Sequence, residues 1–142
     1  MIFLAHLAAT WYMVGLVWFV QLVHYPLFGA VGEHGFRAYA AQHQRRTTWV
    51  VGPPMLLEVA TGAWLALHPP AAAGRAPFVA GLVLLAVVWL STALLQVPRH
   101  TELGGGYSTR AHRALVATNW LRTAAWSARG ALVLAAALRL LR

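Results

Sequence analysis

The last apolar run of the chain, residues 114–138, carries two arginines inside a segment long enough to cross a bilayer. About 20 apolar residues suffice for a transmembrane helix. An arginine at bilayer depth costs about 3 kcal/mol on insertion scales, so such a residue nearly always faces other protein or a water-filled cavity. Arg122 and Arg129 share one face of a helix with Asn119 and Trp126. The run therefore predicts a helix whose polar face points into a helix bundle.

The composition indicates an integral membrane protein with a single domain, residues 1–142. Hydrophobic residues make up 60% of the chain and charged residues 10%, against about 25% charged residues in soluble domains. Cysteine and lysine are absent, which excludes disulfides, thiolate metal sites, covalent c-type haem and Schiff-base chemistry. The formal charge of +8 comes from arginines, mostly in short loops beside apolar spans. This placement favours the lipid bilayer as the partner and argues against nucleic acid.

Four apolar segments predict an all-α fold with four transmembrane helices in an antiparallel bundle. The predicted spans cover residues 2–25, 49–67, 78–97 and 114–138. Between the first two spans, Phe36, Tyr39 and Ala40 alternate with charged residues, which predicts an amphipathic segment at the interface or an extension of the second span. Pro53 and Pro54 fall in the first turns of the predicted second span, where proline does least harm.

The loop arginines also predict an orientation. In a four-span bundle the first and third loops share one side, and they carry Arg37, Arg45, Arg46, Arg99, Arg110 and Arg113. The other side has the amino terminus and fewer arginines: Arg75, Arg139 and Arg142. The positive-inside rule places the two loops in the cytoplasm and both termini outside. We expect the membrane to be a bacterial inner membrane.

This topology collects polar residues beneath the two loops. Five of the seven histidines lie on that side: His24, His34, His43, His100 and His112. Glu58 is the only acid inside a predicted span and reaches a depth similar to that of Arg122, so an ion pair between them is possible. Gln96 and Asn119 add neutral polar groups at depth.

Three interpretations of these residues remain open. Polar contacts between helices can simply hold a bundle together. Imidazole and carboxylate also suit a transition metal (iron, copper or zinc), and histidines from different helices can hold haem. The candidate metal ligands are His24, His43, Glu58 and His100. Ionisable groups within a membrane can also form a proton or small-solute path.

On the metal or haem interpretation, the chain is a membrane oxidoreductase or redox protein acting on a lipid-soluble substrate. Glu58, Asn119 and Arg122 are the candidate catalytic residues. Arg122 and Asn119 would orient an anionic or carbonyl-bearing substrate, because the guanidinium binds carboxylate in a fixed geometry. The alternative is a non-enzymatic subunit of a larger membrane complex or homo-oligomer, which the tryptophans and the small residues at 135–137 permit.

The first span, HLAATWYMVGLVWFVQLVHY, resembles the opening of the HemJ-type protoporphyrinogen oxidases and the wider CopD-like membrane group. PPMLLEVATGAWLAL resembles their second span. The resemblance implies a small membrane-bound haem or redox protein, with His6 at the position of the first-helix histidine and thus a haem ligand. Gln21 replaces an expected basic residue, and VPRHTEL and NWLRTAAW depart from the pattern of these families. NWLRTAAW and LQVPRH resemble instead an uncharacterised bacterial family of small membrane proteins.

Overall fold

The computed structural model describes residues 1–142 and contains helices and turns without strands. Five α-helices follow one another: α1 (Ile2–Phe19), α2 (Glu33–Leu67), α3 (Ala76–Ser91), α4 (Val97–Gly104) and α5 (Thr109–Leu140). Two of them continue into wider π-helical turns, α1 through Val20–His24 and α3 through Thr92–Gln96. A 3₁₀ turn, Pro26–Ala30, leads from the first π-turn towards α2.

Helices α1 and α2 run in opposite directions, as contacts near both of their ends show. His6, early in α1, lies 2.8 Å from the Thr61 hydroxyl late in α2. At the other end, Nε2 of His24 lies 2.9 Å from Nδ1 of His43, early in α2. The short connection between the two helices explains this antiparallel packing.

Helix α5 closes the bundle by packing along both α1 and α3. It runs antiparallel to α3, because Arg129 donates a hydrogen bond to the Gly81 carbonyl near the start of α3, while Gln96 at the end of α3 donates to Thr118 at 3.3 Å. The start of α5 is capped by Ser108, whose hydroxyl accepts a hydrogen bond from a backbone N–H of the first turn. All four long helices therefore contribute to one interior.

The interior combines three apolar clusters with a large set of polar side chains, and the outer surface is rich in apolar residues. The buried polar or charged side chains are His6, Thr10, Gln21, His43, Glu58, Thr61, Ser91, Gln96, Asn119, Arg122, Thr123 and Arg129. Six of the seven tryptophans are exposed, as are many leucines and valines. A water-soluble domain rarely exposes so many large apolar side chains together. The arrangement fits a bundle whose outer surface meets lipid and whose polar groups satisfy one another inside.

Three helical segments are long and apolar enough to cross a membrane: Ile2–Ala30, Glu33–Leu67 and Ala76–Gly104. This finding supports the predicted all-helical membrane protein. Helix α5 has 32 residues but is not among the three, and its arginines lower its mean hydropathy. A fourth span, its orientation and the identity of the membrane stay predictions.

The amphipathic segment predicted in the first loop is the beginning of α2. The helix starts directly after Gly32, whose φ of 80° lies in the left-handed region that favours glycine. Phe36 and Ala40 are buried against the end of α1 and the start of α5, so the segment extends the second span and packs inside the protein. Pro53 and Pro54 consequently lie in the interior of α2, and the prediction that they occupy its first turns is wrong.

Candidate functional site

The buried polar residues form two layers at different depths. The histidine layer, at the end of the bundle where α1 leads into α2, consists of His24, Tyr25, His43 and His100, with Arg122 next to it. The glutamate layer, deeper in the bundle, consists of Glu58, Trp126 and Arg129. The histidine layer joins residues from the end of α1, α2 and α4, and the glutamate layer joins residues from α2 and α5. The two layers have different charge balances.

Three of the predicted metal ligands, His24, His43 and His100, meet in the histidine layer. The ring centroids of His24 and His43 are 4.7 Å apart, and those of His43 and His100 are 5.2 Å apart. Nε2 of His24 lies 2.9 Å from Nδ1 of His43, and Nε2 of His100 lies 3.0 Å from the Tyr25 hydroxyl. The antiparallel order of the helices brings these residues together from distant parts of the chain.

The other two histidines on this side have different surroundings. Nε2 of His112 donates to the Tyr25 carbonyl at 2.7 Å, which leaves Nδ1 to accept from the Tyr107 hydroxyl at 3.0 Å. His112 therefore satisfies a backbone carbonyl at the end of α1, where the helix stops before Pro26. His34 is exposed in the first turn of α2 and takes no part in the layer.

A cavity of about 200 Å³, the inner cavity, opens beside the histidine layer. Its wall is drawn from all the long helices and includes the polar side chains of Tyr25, His43, Gln96, His100 and Arg122. Apolar side chains such as Met13, Val17 and Val51 make up much of the rest. This mixture of apolar walls and a few convergent polar groups is typical of small-molecule sites.

Arg122 lies in the wall of the inner cavity with only neutral partners. It is 8% exposed and donates from Nη1 to Oδ1 of Asn119 at 3.1 Å. Its Cζ lies 5.1 Å from the centroid of the Trp126 ring, a cation–π contact. Its Nε is buried without a hydrogen-bond partner. Asn119 is itself held in place by donating to Oε1 of Gln21 at 2.8 Å.

No acidic side chain neutralises Arg122. Glu58 pairs with Arg129, so the ion pair between Glu58 and Arg122 that the sequence allowed is not formed. Glu102 pairs with the exposed Arg99 at 3.1 Å, and Glu33 is exposed at the start of α2. The chain has no other acidic side chain. The bundle therefore holds a buried positive charge whose counter-ion it does not supply.

The glutamate layer, in contrast, is balanced. Oε1 of Glu58 accepts from Nη2 of Arg129 at 2.9 Å, and Oε2 accepts from Nε1 of Trp126 at 3.0 Å. Glu58 follows His43 by 15 positions in α2, which is about 22 Å along a helix at 1.5 Å per residue. The structure thus places Glu58 away from the three histidines with which it was grouped as a metal ligand.

His6 lies in a third environment. The Thr61 hydroxyl donates to the Leu57 carbonyl at 2.5 Å, so it accepts its other hydrogen bond from Nδ1 of His6 at 2.8 Å. A Cβ added at Gly62 would approach Cε1 of His6 to 3.2 Å, which shows that the ring is closely packed there. His6 does not line the inner cavity. These surroundings suit a packed histidine, and its role as a haem ligand stays a prediction.

A metal site also stays a prediction. No group of three or more His, Cys, Asp or Glu side chains in the structure is arranged to hold a metal ion. Nε2 of His24 and Nδ1 of His43 lie at hydrogen-bond distance from each other, and Nε2 of His100 is directed at the Tyr25 hydroxyl.

Two features of the site were missed in the sequence, namely the π-turns that border the inner cavity. Val20 lines the cavity from the first turn, and Thr92 and Gln96 line it from the second. Such turns are often found at functional sites. The available signal was proline: Pro26 and Pro98 each follow a π-turn by two residues, and proline disturbs the helical turn before it.

Comparisons with protein-family models, with curated proteins and with solved structures find no match. The interpretation of the site therefore rests on its geometry and charge.

Proposed function

We propose that this chain is a membrane-embedded protein that binds a lipid-soluble molecule through a carboxylate or carbonyl group in the inner cavity. The observation that carries the proposal is Arg122, a buried cation without a counter-ion. Leaving a buried charge unpaired is strongly destabilising, by about 3–5 kcal/mol where one partner of a buried pair is removed. A ligand oxygen at Arg122 would offset this cost.

The neighbouring groups fit the same ligand chemistry. Nε of Arg122 and Oε1 of Gln96 are both buried without partners, and both residues line the inner cavity. A guanidinium binds the two oxygens of a carboxylate, or one carbonyl oxygen, in a defined plane. The free Gln96 oxygen accepts a hydroxyl or a protonated ligand oxygen. Asn119 holds the guanidinium in place through its hydrogen bond at 3.1 Å.

The histidine layer gives this site a way to exchange protons. The Tyr25 hydroxyl and Nε2 of His100 are 3.0 Å apart, and both residues line the cavity. A neutral imidazole has one N–H donor and one nitrogen acceptor, so a tyrosine hydroxyl and the ring can pass a proton between them. A ligand oxygen held at Arg122 would therefore have a proton donor or acceptor close by.

Replacement of Arg122 by glutamine tests the proposal. We expect dodecanoate or a decyl-substituted benzoquinone to stabilise the purified parent protein in detergent, and dodecanol, which lacks the carbonyl group, to do so less. Arg122→Gln should weaken binding of the active probe by about 10- to 100-fold, since a hydrogen bond to a charged group contributes about 1.5–3 kcal/mol. Arg113→Gln removes an exposed charge from the same helix and serves as the matched control.

Two results would overturn the proposal. One is that neither the acid nor the quinone binds the parent protein more tightly than dodecanol does. The other is that Arg122→Gln, eluting as a single folded species, binds the active probe as tightly as Arg113→Gln. If dodecanoate binds and the quinone does not, the ligand group is a carboxylate. If the quinone binds and dodecanoate does not, the ligand group is a carbonyl.

Metal-dependent redox chemistry is a second candidate, supported by the 2.9 Å separation of the His24 and His43 nitrogens. Two imidazole nitrogens bound tetrahedrally to one ion at about 2.0–2.1 Å lie about 3.3 Å apart, so the two rings would separate slightly to hold an ion. His24, His43 and a reoriented His100 would be the ligands, and Glu58 would remain with Arg129. Elemental analysis of protein produced with iron, copper and zinc should then find one equivalent, retained in His34→Ala and lost in His43→Ala. A parent protein without metal contradicts this candidate.

A further inference from the structure

A second and larger cavity, of about 630 Å³, lies in the groove between α1 and α2. Residues of α1 and its π-turn line one side of this outer groove: Leu16, Phe19, Val20 and His24. Residues of α2 line the other side: Tyr39, Gln42, His43, Arg46, Thr47, Val50 and Val51. Phe19 and Val50 are 54% and 44% exposed, so the outer groove opens on the surface that meets lipid.

The outer groove and the inner cavity have a common wall. Five residues line both spaces: Leu16, Val20, His43, Thr47 and Val51. One layer of side chains therefore separates a space that opens towards the bilayer from the space that contains Arg122. Leu16, Val20, Thr47 and Val51 are only partly buried, so they are not fixed by close packing on all sides.

The charges around the two spaces have one sign. Neither the outer groove nor the inner cavity has an acidic residue in its lining. Arg46 lines the outer groove and Arg122 lines the inner cavity. An anionic or carbonyl group moving from the outer groove to the inner cavity therefore passes basic and neutral side chains only.

We infer that the ligand is a single-chain amphiphile whose hydrocarbon chain lies in the outer groove and whose carboxylate or carbonyl head reaches Arg122 past His43 and Thr47. This inference rests on the proposed function, since it places the head at the same arginine. The shared chemistry covers a fatty acid and a quinone with an isoprenoid chain. Entry is lateral, from the bilayer through the gap between α1 and α2.

The outer groove and the inner cavity contribute differently to binding. Lipid tails are as apolar as the outer groove, so a chain gains little hydrophobic free energy by leaving the bilayer. The head provides the affinity by neutralising Arg122, and the groove excludes chains that do not fit. The inference therefore predicts that filling the groove blocks a long-chain ligand and leaves a short-chain ligand with the same head unaffected.

A bulky residue in the groove tests this prediction. Val50→Trp fills the outer groove, and Val59→Trp makes the same change at an exposed position of the same helix that lines neither space. Binding of dodecanoate is compared with that of butanoate, and binding of decyl-substituted benzoquinone with that of the same quinone without the chain. Val50→Phe provides a second variant should the tryptophan reduce the yield of folded protein.

In at least one probe pair, we expect Val50→Trp to weaken binding of the long-chain probe at least tenfold. Binding of the short-chain probe with the same head should change by less than twofold. Val59→Trp should leave the binding of both probes unchanged, and Arg122→Gln should weaken the binding of both probes. Equal binding of the long-chain probe by the Val50 and Val59 variants overturns the inference about the groove while the head site at Arg122 stands. Failure of all four probes to bind the parent protein overturns the head site and the groove together.

Discussion

Three charged side chains are buried in this bundle, and they are neutralised in different ways. Glu58 and Arg129 neutralise each other, with the carboxylate also accepting a hydrogen bond from Trp126. Arg122 has neutral partners, among them Asn119 and the face of the Trp126 ring. Because burial penalises each charge in the same way, the difference between the two arginines lies in their partners, and it is the reason for proposing a ligand at Arg122.

Removal of the Glu58 charge should destabilise the protein strongly. Glu58→Gln leaves Arg129 buried and uncompensated, which we expect to lower the free energy of unfolding by about 3–5 kcal/mol. Glu102→Gln breaks the other ion pair of the chain, in which both side chains are more than 40% exposed, and should cost about 1 kcal/mol or less. Thermal unfolding in detergent measures both. Equal losses in the two variants would contradict the structural role of Glu58.

The pairing of Glu58 could not be read from the sequence. Arg122 and Arg129 lie seven positions apart on the same face of α5, so both could reach an acid on α2. Which arginine pairs with Glu58 depends on the axial offset between α2 and α5, and this offset is set by how the helices pack. The meeting of His24, His43 and His100 was easier to predict, because an antiparallel order alone brings these positions to one end of the bundle.

A carboxylate built into the cavity should replace the ligand. Gln96 is 1% exposed, lines the inner cavity with Arg122 and has a free side-chain oxygen. Gln96→Glu supplies an internal anion of nearly the same shape, so we expect higher thermal stability without ligand and at least tenfold weaker binding of the anionic probe. Gln96→Met serves as the control for loss of the amide. Unchanged binding by the glutamate variant would argue against Arg122 as the head site.

The two π-turns connect local helix geometry to the site. Each inserts one extra residue into a helix shortly before a proline, and each carries a buried glutamine, Gln21 or Gln96. The widened turn accommodates the following proline, whose ring would otherwise clash with a carbonyl one turn earlier. Three of the long helices were predictable from hydropathy as candidate spans. The π-turns were not, because proline shows where a helix is disturbed and does not show which kind of turn results.

Deletion of one residue tests the role of the second π-turn. Leu94 lies in this turn and is 69% exposed. Its deletion should convert the turn to regular α-helix, keep the flanking helices in place and displace Gln96 from the cavity wall. We expect folded protein with at least tenfold weaker ligand binding, measured by circular dichroism and a thermal-shift titration.

The matched control is deletion of Val83, which is 62% exposed in the regular part of α3. This deletion rotates one half of the helix against the other by about 100° and should prevent folding. A Leu94 deletion that binds ligand as tightly as the parent protein would show that the turn does not shape the site.

Considered as a whole, the molecule buries the two arginines in the middle of α5 and exposes many apolar side chains, a distribution that would allow α5 to lie in a membrane. Alone, α5 is not apolar enough to be counted among the three candidate spans. Packed in the bundle, Arg122 and Arg129 are 8% and 1% exposed, so lipid does not contact their charges. We therefore expect α5 to cross the membrane together with α1, α2 and α3.

Reporter fusions test this fourth span. With the loops after α1 and α4 in the cytoplasm, as the loop arginines predict, a reporter after Arg142 lies outside and a reporter after Gly106 lies inside. Alkaline phosphatase should therefore be active at Arg142 and inactive at Gly106, with the opposite pattern for green fluorescent protein. The same location for both fusions would show that α5 does not cross, because only α5 separates the two points. Reversed locations would keep four spans and invert the orientation, which would place the histidine layer and its cavity near the outer surface of the membrane.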